Sequence, residues 1–291
     1  MNKYIVLYNP KAGNKTAEKE SRKLVETFSG NVVEFKNILE ITDYKSFFET
    51  IGEDTSIIIA GGDGTLNRFV NNLGDSFPEN DILYYPAGSG NDFMNDLGKK
   101  KGCEPFSIKK YLQKLPRVLI NEKIYRFING VGYGIDGYCC LEGEKMRKKT
   151  KKAINYTKIA IKSILFKYKP TKAKVTVDGK EYEFKHVWMA PTMNGRYCGG
   201  GMMATPMQDR NEDDISVLIA CAKSKFRLLT ILPTIFEGKH VKFEKHIHFI
   251  KGKCVTVEFD RPVPAQIDGE AIENVKKYQI FSYEKIPQIT V

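Results

Sequence analysis

The spacing of apolar and polar residues divides the chain into two regimes. Through the first hundred residues, short apolar runs alternate with stretches of helical spacing. Tyr4 to Tyr8 predicts a first strand, Ala17 to Phe28 a helix with Leu24, Val25 and Phe28 on its apolar side, and Val32 to Phe35 an extended segment. Asp43 to Ile51 predicts a helix with an acid in its first turn. Ser56 to Ala60 (Ser-Ile-Ile-Ile-Ala) is apolar on both faces, as a parallel strand buried on both sides must be. Thr65 to Leu73 predicts a helix and Asp81 to Tyr85 a strand. Strand and helix in turn point to a parallel sheet with crossover helices.

From about Arg117 the pattern becomes mostly period-2. Lys172 to Asp178 and Lys180 to Val187 flank Asp178-Gly179, a hairpin signal. Ile215 to Cys221, Cys254 to Phe259 and Lys277 to Tyr283 are also strand-like. One long helix is expected over Glu144 to Tyr168 and another over Phe226 to Phe236. The expected organisation is an α/β domain over residues 1–116 and a largely antiparallel β domain over 117–279. Residues 280–291 are a candidate to return to the first domain. The cleft between domains is the default place for a site.

A length of 291 residues fits two domains. No run approaches the roughly 20 apolar residues of a membrane span, and the N-terminal apolar run is too short for a signal peptide. The six cysteines show no C-x-x-C spacing and are expected as reduced thiols in a cytosolic protein. His246 and His248, without a nearby Cys or carboxylate motif, make a weak metal site. The net charge is +11, yet Lys145 to Lys174 alone carries +12, with no Asp or Glu. The remainder is near neutral. Confined charge of this kind argues against a nucleic-acid binder and for a partner met on one face, such as an anionic membrane.

The strongest local signal follows the buried strand. Ala60-Gly61-Gly62-Asp63-Gly64-Thr65-Leu66-Asn67 runs from that strand into a helix. Glycines let a backbone approach an anion closely, and a helix N-terminus offers N–H groups and a positive dipole end. The loop is neither a Walker A sequence nor a G-x-G-x-x-G fingerprint. A ligand-free strand-to-helix turn is the plainer reading. Asn9-Pro10-Lys11-Ala12-Gly13 and Pro86-Ala87-Gly88-Ser89-Gly90-Asn91-Asp92-Phe93 also follow strands, so all three loops should lie at the carboxyl edge of one sheet, where α/β sheets bind ligands. Asp63 and Asp92 beside phosphate loops imply Mg²⁺ between them.

These three loops, in this order, resemble the diacylglycerol kinase catalytic-domain family, which covers soluble bacterial diacylglycerol kinases and the sphingosine and ceramide kinases. The similarity continues through Asn129-Gly-Val-Gly-Tyr-Gly134-Ile-Asp136, Gly199-Gly-Gly201-Met202 and Asp268-Gly-Glu270 and spans essentially the whole chain. The Gly-Gly-Asp-Gly-Thr loop alone also resembles NAD kinases and 6-phosphofructokinases; the Asn-Pro and Asn-Asp-Phe loops favour the lipid kinases. The resemblance implies a three-layer α/β nucleotide domain, a mostly antiparallel β-sandwich domain, and an active site in the cleft between them. It implies ATP as phosphoryl donor, held by Asn9, Pro10, Lys11, Ala12 and Gly13, by Gly61, Gly62, Asp63, Gly64, Thr65 and Asn67, and by Gly88, Ser89 and Asn91. It implies Mg²⁺ around Asp63 and Asp92. It also implies a structural Mg²⁺ at Asp213, with Asp214 the alternative ligand, although the acidic turn Asp209 to Asp214 lacks the family's glycine and a solvated turn is the other reading. Finally it implies catalytic Asp268 and Glu270, with Glu270 as general base. The acceptor would be a membrane lipid, diacylglycerol in the first place, giving phosphatidic acid.

Two departures qualify this picture. Arg68 stands where the family usually has Glu, and Asn121 lies near a position where many bacterial members place a metal-network Asp. They keep open a catalytically impaired nucleotide- or lipid-binding relative, beside an NAD kinase-like enzyme for a soluble substrate. The Lys145–Lys174 segment reads as an amphipathic helix. Ile154, Ile161, Ile164, Leu165 and Tyr168 recur among Lys151, Lys158, Lys162 and Lys169. One face can pack on the second domain while the other meets anionic lipid, which places the protein in the cytoplasm, peripherally on the inner membrane face. Trp188 and Met193, Met202, Met203 and Met207 are either core or an adaptable acceptor pocket. Oligomeric state is left open, a homodimer being one option.

Overall fold

The computed structural model describes residues 1–74, 77–149 and 154–285. Lys151, Lys152 and the C-terminal residues 286–291, which figure in the expectations above, lie outside the described residues. The chain divides into two compact units, Met1–Lys114 and Leu115–Val291.

In the first unit β1 (Lys3–Tyr8), α1 (Ala17–Arg22), α2 (Leu24–Thr27), β2 (Val32–Asn37), α3 (Tyr44–Glu49), β3 (Thr55–Gly61), α4 (Asp63–Leu73) and β4 (Ile82–Pro86) alternate as expected. They are followed by α5 (Asp92–Asp96), the two-residue β5 (Phe106–Ser107) and α6 (Lys109–Leu112). The sheet order is β2-β1-β3-β4-β5, parallel except for β5. Ile57, Ile58, Ile59 and Ala60 are fully buried in the central strand, which explains a run apolar on both faces. On α4, Leu66, Phe69, Val70 and Leu73 turn inward and Arg68 faces solvent. Asp43 caps α3, its carboxylate accepting from the backbone N–H and the hydroxyl of Ser46 at 3.1 and 2.7 Å. The helix expected over residues 17–28 is two short helices meeting at Lys23, with Val25 outside the core.

The second unit opens with β6 (Arg117–Ile120), β7 (Lys123–Arg126), β8 (Gly130–Tyr133) and α7 (Ile135–Lys149). After α8 (Tyr156–Lys162) and a single π turn (Ser163–Lys167) come β9 (Thr171–Val177), β10 (Lys180–Met189), β11 (Thr192–Met193), β12 (Tyr197–Cys198) and β13 (Met202–Met203). β14 (Ile215–Cys221), α9 (Lys225–Ile231), β15 (Ile247–Gly252), β16 (Cys254–Ile267) and β17 (Glu270–Phe281) complete it. Apart from the β12–β13 pair, these strands form one antiparallel ten-stranded sheet. The 14-residue β16 lets it fold over on itself. Its first half pairs with β9 and its second half with β8, while its other edge pairs with β17. The register shifts between Glu258 and Val263, around Pro262, which has no N–H to give a ladder.

The enclosed core carries large rings, several of them with partnered polar tips. Tyr133 stacks on Phe259 with centroids 3.9 Å apart. Tyr278 donates to the Ala190 carbonyl at 2.8 Å, and the Trp188 indole N–H to that of Ala222 at 2.8 Å. Trp188 and Met193 are thus core residues, and Met207 is exposed. The Lys145–Lys174 segment is not one helix. α7 begins nine residues before the expected start, and α8 begins afresh with Asn155 as its N-cap, accepting from the Lys158 N–H at 2.8 Å. Nor do residues 280–285 return to the first unit: Ile280 and Phe281 pair with β6, and the Glu284 N–H bonds Asp213.

The acidic turn is tied down by hydrogen bonds and lysines. Asp213 accepts from the Ser282 hydroxyl at 2.8 Å and the Glu284 N–H at 3.1 Å. The Lys253 ammonium lies 3.4 Å from Asp213 and 2.5 Å from Glu284, and Lys251 pairs with Glu212. The backbone carbonyl of Asp214 accepts from Gln208. Among the described residues no group of three or more His, Cys, Asp or Glu side chains could hold a metal. The Lys253 ammonium thus stands beside Asp213, one of the two carboxylates at which a structural Mg²⁺ is expected. Adding a chelator to nucleotide-free protein should leave its thermal midpoint unchanged; a fall of several degrees would reinstate a metal at this turn.

A different carboxylate is a liability of the core. Asp136, at the start of α7, has one oxygen, Oδ1, sealed from solvent without a hydrogen-bond partner, although the residue as a whole is only half-buried. Burial pushes its pKa from the ordinary 3.8 up to about 6, against bonds from the backbone and Gln266. The folded state thus holds this proton more tightly than the unfolded chain. Its contribution to stability is fully present below about pH 4 and is lost as pH rises through 6. Asp136→Asn should match the wild type near pH 4 and exceed it above pH 7 by about 2–3 kcal/mol, the size of a two-unit shift. Urea midpoints measured across that range give the test, and a pH-independent difference would refute it.

Candidate active site

Three loops meet at the carboxyl edge of the parallel sheet, and each is fastened to another. After β1, the Asn9 amide donates to the Thr65 hydroxyl at 2.9 Å, and its own oxygen accepts the Lys11 N–H at 3.0 Å. The turn through Pro10, Lys11 and Ala12 closes with an Ala12 N–H bond to the Asn9 carbonyl. Gly13 follows with φ +56°, and a Cβ there would stand 2.5 Å from the Ala87 carbonyl oxygen of the third loop. Only glycine tolerates both conditions.

The second and third loops approach still more closely. A Cβ on Gly62 would lie 3.0 Å from the Gly88 Cα, and one on Gly88 would collide with Gly62 in return. The Ala87 N–H bonds the Gly61 carbonyl at 2.9 Å, and the buried Tyr84 hydroxyl donates to the same oxygen at 3.1 Å. Asn91, in the left-handed region at φ +49°, donates from its amide to the Gly88 carbonyl at 3.0 Å. Asp63, in the first turn of α4, accepts the backbone N–H groups of Asp92 and Phe93 at 2.8 and 2.9 Å. Above this frame Gly64 and Ser89 are exposed, and Thr65 and Asn67 are buried below it. The result is a rigid, side-chain-poor surface at the N-terminus of the 11-residue α4, the setting in which backbone N–H groups receive phosphate.

The pairing of Asp63 with two backbone N–H groups makes it a fastener of the third loop. Asp63 and Asp92 are both carboxylates, oxygen donors of the kind that suits Mg²⁺.

The second unit supplies a different cluster. Asp268 and Gly269 form the two-residue turn between β16 and β17, with φ +47° and +94°. The Asp268 carboxylate accepts three backbone N–H groups, from Ile128 at 2.6, Asn129 at 2.8 and Gly130 at 3.0 Å. Asn194 and Arg210 complete the clamp. The Asn194 amide and Arg210 Nη1 each donate to the Ile128 carbonyl at 3.0 Å, and Arg210 Nη2 to the Asn129 side-chain oxygen at 3.0 Å. Asp268 accordingly holds the turn, and Glu270, the first residue of β17, projects exposed beside it. Asn194 and Arg210 had no role in the sequence reading; the signal for Arg210, a cation inside an acidic turn, was present but unspecific.

The two departures from the family pattern have local explanations. Asn121 and Glu122 make the β6–β7 turn with φ +47° and +63°, and asparagine is among the side chains that tolerate that region best. The Asn121 amide donates to the Glu273 carbonyl at 3.3 Å. Arg68 lies on the solvent face of α4.

Comparison with known proteins agrees with both halves of this geometry. Residues 3–119 match the diacylglycerol kinase catalytic domain, and residues 129–287 match the YegS C-terminal NAD kinase beta sandwich-like domain. A diacylglycerol kinase of Mycobacterium tuberculosis is 25% identical over 297 residues, covering 92% of each chain. A diacylglycerol kinase of Bacillus subtilis is 22% identical over 288 residues, covering 91% of this chain and 88% of its own. A crystal structure of a diacylglycerol kinase from Bacillus anthracis shares the fold, with a TM-score of 0.66 at 20% identity and 99% of both chains covered. With both domain types matched in order along its length, the chain belongs to the diacylglycerol kinase catalytic-domain family, in the form that carries a YegS-type C-terminal β-sandwich-like domain.

Proposed function

We propose that this protein is an ATP- and Mg²⁺-dependent lipid kinase that transfers the γ-phosphate of ATP to a hydroxyl of a membrane lipid, diacylglycerol in the first place, giving phosphatidic acid. The observation that carries the reading is the fastening of three glycine-rich loops into one backbone surface at the carboxyl edge of the sheet. Family membership supports the phosphotransferase class, and the names of the relatives support lipid as acceptor.

The reading assigns each group a role. Backbone N–H groups of the loops around Gly62 to Thr65 and Gly88 to Asn91 receive the ATP phosphates. Asn9 and Thr65 hold the first two loops in register. Asp63 and Asp92 would hold Mg²⁺, which supplies neutralisation of the phosphate charge when bound. Glu270 accepts the proton of the acceptor hydroxyl as that oxygen attacks the γ-phosphorus and the bond to ADP breaks. Asp268 is a positioning residue, fixing the turn from which Glu270 projects. An exposed base suits an acceptor that arrives in a bilayer. The reading places the enzyme at the cytoplasmic face as a peripheral protein, meeting the membrane through the Lys145–Lys174 segment; no helix among the described residues is long and apolar enough to cross a membrane.

Glu270→Gln should lower kcat on diacylglycerol by roughly 10²–10⁴-fold, the usual size of a general-base effect. The KM for ATP should stay where it is. A variant with full rate would remove Glu270 from the mechanism. Labelled phosphate appearing on NAD and on no extracted lipid would move the acceptor to the soluble class.

A further inference from the structure

The second unit carries an exposed aromatic pair that no part of the site uses. The π turn after α8 buries Ile164 and leaves Phe166 75% exposed. α9 buries Leu228 and Ile231 and leaves Phe226 equally exposed. The two elements are joined, because the Lys225 ammonium donates to the Leu165 carbonyl at 2.8 Å. Each phenylalanine is the chain neighbour of a residue in that bond, so the two exposed rings sit on elements that are side by side. Ile161, 41% exposed, extends it along α8, where an open groove is lined by Thr157, Lys158, Ile161, Leu165 and Phe166.

The patch has a charge signature as well. Lys158, Lys162, Lys167 and Lys169 flank Phe166, and Lys223, Lys225 and Arg227 flank Phe226. Neither Lys145 to Lys174 nor Ile215 to Phe236 contains an Asp or Glu. A homodimer seated here would set like charges against each other, which opposes association. A lysine-rich rim around exposed rings is the arrangement that interfacial proteins present to anionic lipid, with lysines at the phosphates and rings at the headgroup–acyl boundary.

We propose that Phe166 and Phe226 insert into an anionic bilayer as paired anchors, with the surrounding lysines and arginine meeting lipid phosphates. This deepens the lipid-kinase reading by naming how the protein reaches its acceptor, but vesicle binding requires neither ATP nor turnover. Failure of one reading is therefore separable from failure of the other.

The test uses the full chain and vesicles of phosphatidylglycerol and phosphatidylcholine in equal parts. Trp188, the single tryptophan, is buried and gives a constant background, so Phe166→Trp and Phe226→Trp report locally. Each variant's emission should move to shorter wavelength on adding these vesicles. Emission that stays put while the protein co-sediments would overturn insertion. The F166S/F226S variant should bind roughly 100-fold more weakly, about tenfold per buried ring, with an unchanged thermal midpoint. Wild-type binding by that variant, or equal wild-type binding to pure phosphatidylcholine, would refute the proposal. A wild-type dimer that F166S/F226S dissociates would instead assign the patch to a second copy of the chain.

Discussion

The constraint on which the first unit's chemistry depends is a backbone-to-backbone contact. Gly62 and Gly88 come so close that a side chain on Gly88 would collide with Gly62 and one on Gly62 would crowd Gly88. That contact brings the loop after β3 against the loop after β4, and the other fastenings make sense only once it exists. Asp63 can reach the N–H groups of Asp92 and Phe93 because the loops already touch. Tyr84, fully buried beneath them, can bond the Gly61 carbonyl for the same reason. A phosphate site made of N–H groups is only as good as their alignment, since each adjustment on binding costs conformational entropy. Fastening the loops before the ligand arrives settles that cost during folding.

Carboxylates do much of this fastening in both units. Asp63 holds the third loop of the first unit, and Asp268 holds three successive N–H groups across a sequence separation of about 140 residues. Asp178, in the other Asp-Gly turn, does the same with the N–H groups of Lys253 and Cys254. A buried N–H without a partner costs about 1–3 kcal/mol, and an ionised acceptor makes a stronger bond than a neutral one. The two Asp-Gly turns therefore share one structural device. What sets the second apart is the exposed Glu270 that follows it, where Lys180 follows the first.

This bears on how much the sequence could disclose. The alternation of strand and helix through β4 was legible because β3 is apolar on both faces and α4 carries apolar residues at Leu66, Phe69, Val70 and Leu73. That the three loops end parallel strands followed from topology. Their mutual bonds did not, because Asn9 and Thr65 lie 56 residues apart and no local pattern records the pair. The fastening roles of the acids were hidden for a related reason. Asp63, Asp213 and Asp268 read as metal or catalytic groups in sequence, yet the number of N–H or ammonium groups each meets is a tertiary quantity. The break in the Lys145–Lys174 helix was written locally, in an asparagine that caps a new helix, but the lysine periodicity around it masked the signal.

The same distinction sharpens the meaning of the net charge. Backbone groups and helix ends can bind phosphate without any lysine, and the fastened loops of the first unit are built from glycine, asparagine, threonine and aspartate. Of the lysines, only Lys11 falls within them. The excess positive charge of the chain is concentrated in the second unit, on segments that also expose phenylalanine. Charge alone would be a solvated surface, and an exposed ring alone would be an ordinary imperfection of packing. Their coincidence on two elements joined by the Lys225–Leu165 bond is harder to attribute to solubility, because an aromatic ring in water opposes it. It is most economically understood as a surface whose proper environment is amphipathic.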